Sequence, residues 1–412
     1  MAHLRTEIFA EQAKAMTAQQ ELSLLRNAFR QGKANGKVRE SYVRLLLLDE
    51  AFGEAIEVLE VTTDRSFSEE AMLTQAWLSV ETVEGNAKAS ESGTRALLLA
   101  ASDPERAAAL AARGKAETRL GEFETARDSL NAALDLDPAN KDACKRLVAL
   151  DLAANRPDAV LALFERLHAQ GAGHARLFAA QTLAQARSGD FAAAANSGGM
   201  PDLFESTVLE PPPGWSSIEQ FNDALAEELL AHPGLRYERY GSASVKTWRI
   251  EAPARHDTPL FKTLLERIVE ALGRYGEATD GSDHPWAAHR PDAAFLRNWC
   301  VITEGEGFED WHVHQFGWAS GVYYVQVPDE ISNGTGPEGC LAFGLPADLA
   351  GEQGSAGYGE HMVRPRSGLF MAFPSFSYHR TYPHHTGGKR ICVAFDVRPL
   401  PAHSDGSAAP AG

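Results

Sequence analysis

The strongest constraint on this chain is a recurring spacing of small residues. Gly121-Glu-Phe-Glu-Thr-Ala126 returns as Gly189-Asp-Phe-Ala-Ala-Ala194, 68 residues later, or twice 34. Asn155-Arg-Pro-Asp-Ala-Val160 sits at the midpoint. Ala55 and Ala89 are also 34 apart, with Phe52 and Asn86 three residues before each. The step from Ala89 to Ala126 is 37, which reads as a three-residue insertion. A period of this length marks stacked helical units. Composition agrees, because the chain to about Met200 is rich in Ala, Leu and Glu and poor in Pro. Small side chains at Gly114, Ala126 and Ala133 let the two helices of a unit approach closely, and Pro138 breaks the chain before the next.

This pattern resembles the tetratricopeptide repeat, which implies an α-helical solenoid over residues 1–200. Such arrays present a concave surface to a peptide or protein, or serve a homodimer. An irregular Ala-rich helical domain is the plain alternative. The run Glu210-Pro-Pro-Pro-Gly214 cannot continue a helix, so 201–214 reads as a Pro-rich linker. Ser216-Ser-Ile-Glu219 then reads as a capping box opening a helix with Ile218, Phe221, Leu225 and Leu229 inward. A second helix is expected from Thr258-Pro259 to about Tyr275. After Pro291 the texture changes to short apolar runs. Strands are expected at Leu296–Thr303, Trp311–His314, Ala319–Val327, Cys340–Phe343, Leu369–Phe373 and Arg390–Arg398, a density that implies a β-sandwich or small barrel. The small, polar tail 401–412 reads as disordered.

Composition narrows the function classes. The 412 residues suffice for two or three domains, and a formal charge of −17 argues against sequence-independent nucleic-acid binding. No apolar run approaches the roughly 20 residues that span a bilayer. The first ten residues lack the pattern of a secretory signal. Cys144, Cys300, Cys340 and Cys392 are dispersed without a CxxC pair, which argues against a disulfide framework or a cysteine zinc site. A reducing cytoplasm is the expected location.

Eight of the fourteen histidines lie between His284 and His385. In His312-Val-His314 an extended backbone would point both imidazoles to one face, within reach of one metal ion. Downstream stand Gly368, Phe373-Pro-Ser, His379, Pro383, Gly388 and Arg390. Along Arg390-Ile-Cys-Val-Ala-Phe, Arg390, Cys392 and Ala394 share one face. That face is expected to point inward, where small neighbours leave room for a bound acid, with the bulky face packed on helices. Asp310 stands two before His312, so Asp310-x-His312 is a competing pair. Ser375 and Ser377 lack a nucleophile elbow, and the Gly-rich stretch Gly351–Gly359 lacks the Lys-Ser/Thr of a phosphate loop. His384 and His385 read as solvated, His361 as exposed, and His284 and His289 as loop residues beside the entrance.

The series His312-x-His314, Trp318-Ala-Ser-Gly-Val-Tyr-Tyr324, Gly368, Phe373, His379, Arg390 resembles the iron(II)/2-oxoglutarate oxygenase superfamily. It is most similar to a bacterial branch in which tetratricopeptide repeats precede the oxygenase. The resemblance covers about Pro211 to Pro399. It implies an α+β multidomain chain, a helical solenoid followed by a double-stranded β-helix (jelly-roll) over 215–400 with flanking helices. It also implies Fe(II), 2-oxoglutarate and O2 as cofactors. Carried over, His312 is the first metal ligand, His314 occupies the usual acid position, and His379 is the distal ligand. Arg390 anchors the far carboxylate of 2-oxoglutarate. Trp299, Trp318, Tyr323 and Tyr324 read as core packing, the default for strand aromatics, with the alternative that Tyr323 or Tyr324 donates its hydroxyl to 2-oxoglutarate. The expected reaction is hydroxylation of a C–H bond in a peptide, protein or carrier-bound substrate, with 2-oxoglutarate converted to succinate and CO2. Two alternatives stay open: a three-histidine cupin-like dioxygenase that does not use 2-oxoglutarate, and a repeat scaffold with a non-catalytic barrel.

Overall fold

The computed structural model describes residues 6–10, 18–237 and 243–400, so the tail 401–412 lies outside the described residues. Residues 18–172 belong to one compact unit, and residues 6–10 with the described part of 173–400 belong to a second.

The first unit is all helical, running Ala18–Arg30, Gly36–Leu48, Phe52–Glu60, Phe67–Val80, Val83–Leu99, Asp103–Arg119, Phe123–Leu136, Lys141–Ala153 and Pro157–Ala169. The small residues of the 34-residue spacing are where the helices meet. Ala55, Ala89, Ala126 and Ala133 are fully buried. A Cβ added at Gly114 would lie 2.8 Å from the Leu130 side chain, so only glycine lets helix 103–119 settle on helix 123–136. Gly121 closes the first of these helices at φ +81°, a left-handed turn that costs glycine nothing. Ser66 with Glu69 and Ser102 with Glu105 form capping boxes that satisfy free N–H groups at two helix starts.

The second unit begins at Gly173, upstream of the Pro run, because the contacts of helices Ala175–Arg187 and Phe191–Gly198 are with helix Ala347–Tyr358. Gly189, at φ +82°, and buried Ala194 reproduce the repeat turn here. Helix Ile218–Leu230 is capped by Ser217, whose hydroxyl accepts from Gln220 N. The cap therefore stands one residue later than the expected Ser216–Glu219 box, since the Gln220 carboxamide instead takes the Ser216 hydroxyl at 2.7 Å.

The strands are β1 Glu7–Ala10, β2 Glu205–Val208, β3 Arg236–Tyr237, β4 Ser244–Glu251, β5 Ala293–Glu309, β6 Ala319–Gln326, β7 Leu341–Phe343, β8 His361–Val363, β9 Leu369–Pro374, β10 His379–Thr381 and β11 Lys389–Pro399. They form a larger sheet in the order β2-β9-β6-β11-β5-β4-β3, with β1 also on β5, and a smaller sheet β10-β7-β8. Every pairing is antiparallel except β1 with β5.

Trp299, Val301, Val322, Tyr324, Met371, Phe373 and Cys392 of the larger sheet pack with Leu341 and Phe343 of the smaller one. The two sheets therefore enclose one apolar core, the layout of a jelly-roll. The opposite face of β6 meets helix 218–230, where Tyr323 donates to Asn222 Oδ1 at 2.8 Å. The expected division of β11 holds: Cys392 joins the inter-sheet core, and Phe395 stacks on Phe370 outside it.

The close approach at Gly114 is testable. Gly114→Val should destabilise the protein by about 1–3 kcal/mol through overpacking. Gly36→Ala, at a helix start with no atom within 4 Å of the added carbon, should cost nothing or add up to about 1 kcal/mol. Urea unfolding of both variants checks this, and equal stability would contradict the close helix packing.

Candidate metal centre

Strand β5 ends at Glu309, and the chain then leaves the larger sheet and crosses to the smaller one. His312 and His379 exchange both backbone hydrogen bonds, at 3.0 and 3.1 Å, and His314 N donates to Ser375 O at 3.0 Å. Trp311–His314 is thus a single bridge rather than the expected strand. It nevertheless brings the three imidazoles together. Ring centroids are 5.1 Å apart for His312–His314, 4.2 Å for His312–His379 and 5.0 Å for His314–His379. One ring nitrogen from each lies within 4.8 Å of the others.

The partners of these rings fix their tautomers. His312 Nδ1 faces Asp310 O at 2.6 Å and His379 Nδ1 faces Ser377 O at 2.9 Å, and a carbonyl can only accept. His314 Nδ1 faces the Asp396 carboxylate. Each Nδ1 therefore carries the proton, leaving three Nε2 lone pairs for a metal. Burial, then the neighbouring His314, pushes His312 down to about 3. Burial, then His312 and His314, hold His379 well below the ordinary histidine range. Both shifts favour neutral imidazoles at His312 and His379, the form that binds a divalent cation.

Asp310 is not part of the cluster. It is exposed, and its carboxylate accepts from Trp311 N at 2.8 Å. The competing Asp310-x-His312 pair fails because the period-two alternation stops with the strand at Glu309. The other nearby acids are engaged elsewhere: Glu304 with Lys389 at 2.9 Å, Glu306 with His385 at 2.8 Å and Glu309 with the Ser244 hydroxyl at 2.5 Å.

Asp396 is the acid that the sequence reading missed. It lies on β11, two residues beyond Ala394 on the inward face, and is 2% exposed. Besides His314 Nδ1 it accepts from Ser320 Oγ at 2.8 Å and Arg398 Nη2 at 3.1 Å. Burial alone would raise its carboxyl, but His314, Arg398 and Ser320 outweigh that and hold it at about 2. Extending the alternation of Arg390, Cys392 and Ala394 by one step would have found it.

Arg390 is 1% exposed. Its Nη1 donates to Gly339 O at 2.8 Å and its Nη2 to Thr381 Oγ1 at 3.2 Å, while Nε has no partner. Thr381 lies two residues beyond His379 on β10, hence on the same face and about 7 Å along the strand. The register aligns Arg390 with Thr303 and Thr303 with Thr247. Both threonines are fully buried with unpartnered hydroxyls. A buried guanidinium with a free N–H, next to unused hydroxyls, fits a bound carboxylate.

Tyr324 belongs to the inter-sheet core near Arg390, and burial raises its phenol above the usual range. Tyr323 points out to Asn222 and is removed from the site, because adjacent strand residues face opposite ways. Phe343 and Phe373 pack 5.9 and 4.9 Å from the His379 ring, and Trp299 lies 5.4 Å from His314. His384, expected to be solvated, is 2% exposed with Nε2 3.2 Å from Thr303 O. His284 is held by Ser197 O at 3.1 Å and stacks on Phe376, a packing role away from the triad.

If the triad is the metal site, His379→Ala should weaken Co(II) binding by on the order of 100-fold, at or beyond the upper end for loss of an outer partner. Asp310→Asn should leave it within about twofold. Calorimetric titration reads both, and equal losses would restore Asp310 as a ligand.

Residues 297–396, which include the three histidines, Arg390 and Asp396, match the model of the family described as "Putative 2OG-Fe(II) oxygenase". Among solved structures the chain is similar to a prolyl-4-hydroxylase of Pseudomonas putida, 16% identical over 51% of this chain and 100% of that one, with a TM-score of 0.32. HygX of Streptomyces hygroscopicus, solved with nickel and 2-oxoglutarate bound, is 15% identical over 49% of this chain and 84% of its own, at 0.32. TTC0263, a TPR protein of Thermus thermophilus, is 20% identical over 36% of this chain and 81% of its own, at 0.31. No curated protein matches the chain. The match over residues 297–396 and the histidine triad support a 2-oxoglutarate-dependent dioxygenase that uses Fe(II), 2-oxoglutarate and O2.

Proposed function

We propose that His312, His314 and His379 hold Fe(II) through Nε2, that Arg390 anchors the distal carboxylate of 2-oxoglutarate, and that the enzyme hydroxylates a C–H bond of a peptide or protein. The observation that carries this reading is the buried Arg390 guanidinium with an unpartnered Nε, tied to Thr381 one strand step from His379. That spacing suits a short dicarboxylate held by the metal at one end and by a planar fork of N–H donors at the other. Bound in the triad, Fe(II) supplies oxygen activation coupled to the conversion of 2-oxoglutarate to succinate and CO2.

The protein groups do the rest. Three imidazole ligands on one side leave open positions for cosubstrate and oxygen. Thr303 and the Tyr324 hydroxyl are placed to donate beside Arg390. Phe343, Phe373 and Trp299 give the site apolar walls, which strengthen each polar contact and exclude water from a reactive centre. For the substrate, support comes from the first unit. It is a helical repeat array, an architecture that presents a concave surface to an extended chain.

Arg390→Ala and His379→Ala should each reduce succinate release from 2-oxoglutarate by more than about 100-fold. Tyr323→Phe should leave it unchanged, while Tyr324→Phe should raise the KM for 2-oxoglutarate several-fold, by roughly one hydrogen bond. Full turnover in both alanine variants would overturn the assignment. Anaerobic addition of 2-oxoglutarate to the Fe(II) protein should produce a visible charge-transfer band, and its absence would favour a three-histidine dioxygenase without this cosubstrate. Peptides that stimulate succinate release and gain one oxygen atom by mass would identify the substrate class. A set of small metabolites doing so in their place would contradict it.

A further inference from the structure

In the signature His-x-acid, one negative charge touches the metal directly. Here His314 takes that position, and a neutral ring brings none. We infer that Asp396 is the missing acid moved one shell outward: a positioning residue that acts on the metal through His314. The inference rests on the iron reading above.

Three observations converge on it. His314 is the only ring of the triad backed by a full anion, since His312 and His379 meet backbone carbonyls. Asp396 is 2% exposed, and a buried carboxylate is expensive to keep unless donors surround it. It has them in His314 Nδ1, Ser320 Oγ and Arg398 Nη2, and the Ser320 hydroxyl is backed in turn by Ser375 Oγ at 2.6 Å. Finally, Ser375 also accepts the backbone N–H of His314 at 3.0 Å through its carbonyl. The ring and main chain of one ligand are therefore clamped by a single network spanning β6, β11 and the residue after β9.

A carboxylate behind an imidazole does two things. It fixes the ring's tautomer and rotation, so that Nε2 points at the metal, and it makes that nitrogen a stronger donor by drawing on the Nδ1 proton. The cation then senses a negative charge through the ring while its other positions stay open for cosubstrate. Strand β11 so carries two charges on one inward face six residues apart: Arg390 for the dianion and Asp396 for the cation.

The test is a double-mutant cycle read by Co(II) titration and the visible spectrum of the Co(II) protein. The proteins are wild type, Asp396→Asn, His314→Ala and the double variant. Asn is close in shape and can still accept from Nδ1, so it removes the charge and keeps the contact. Asp396→Asn should weaken Co(II) binding roughly 10- to 100-fold and shift the visible bands. In the His314→Ala background the same substitution should change nothing further. Binding within twofold of wild type, or an equal loss in both backgrounds, would overturn the role. Should Asp396→Asn not fold, nitrogen NMR of the Zn(II) wild-type protein decides. A protonated Nδ1 on His314, shifted furthest downfield of the three, supports the inference, and metal on that Nδ1 refutes it. A wild type that binds no metal, or a His379→Ala variant that binds as well, would sink the iron reading itself.

Discussion

The two-residue alternation of strand β11 governs the rest of this structure. Paired with β5 on one side and β6 on the other, Lys389–Pro399 has no freedom to rotate. One set of its side chains must enter the space between the sheets and the other must leave it. Ile391, Val393, Phe395 and Val397 are buried on the outward side. Arg390, Cys392, Ala394 and Asp396 consequently face inward, and two of these four are charged. A one-residue slip would exchange the sets, placing bulky apolar groups beside the histidine triad and two charges against apolar packing. The register thus protects both the site and the core.

Putting charges inside has a consequence for everything around them. Arg390 is tied down by Gly339 and Thr381, and Asp396 by Ser320, Arg398 and His314. The metal triad occupies the ground between these two networks, connected to one through Thr381 and β10 and to the other through His314. It is this arrangement, rather than the short His-x-His motif, that distinguishes the centre from two histidines exposed on a strand.

Much of this was legible in the sequence. The 34-residue spacing fell on buried alanines and on Gly114 and Gly121, because close helix packing demands small residues at fixed positions. His312, His314, His379 and Arg390 were readable from order and spacing, and Tyr324 from the same stretch. Other features depend on tertiary placement. Tyr323 and Tyr324 are equivalent in composition, and only the direction of β6 separates them. Strands β2 and β4 lie in polar stretches without clean alternation, and β4 contains a bulge with Lys246 at φ +51°. The glycines of Ala347–Tyr358 hid a helix, which bends at Gly351 with φ +76°. His384 reads as a turn residue, yet it is buried against Thr303 O. Asp396 is reached by one further step of the β11 alternation, but its role is not, because its partner His314 is 82 residues away.

The proposed centre is three imidazoles and one guanidinium serving a single metal-bound dicarboxylate. A crystal structure of the protein grown anaerobically with Mn(II) and 2-oxoglutarate tests that most directly. It should contain one cation bound by Nε2 of His312, His314 and His379, with the far carboxylate of the acid on Arg390. A cation held through Nδ1 or by other residues, or an acid turned away from Arg390, would contradict it.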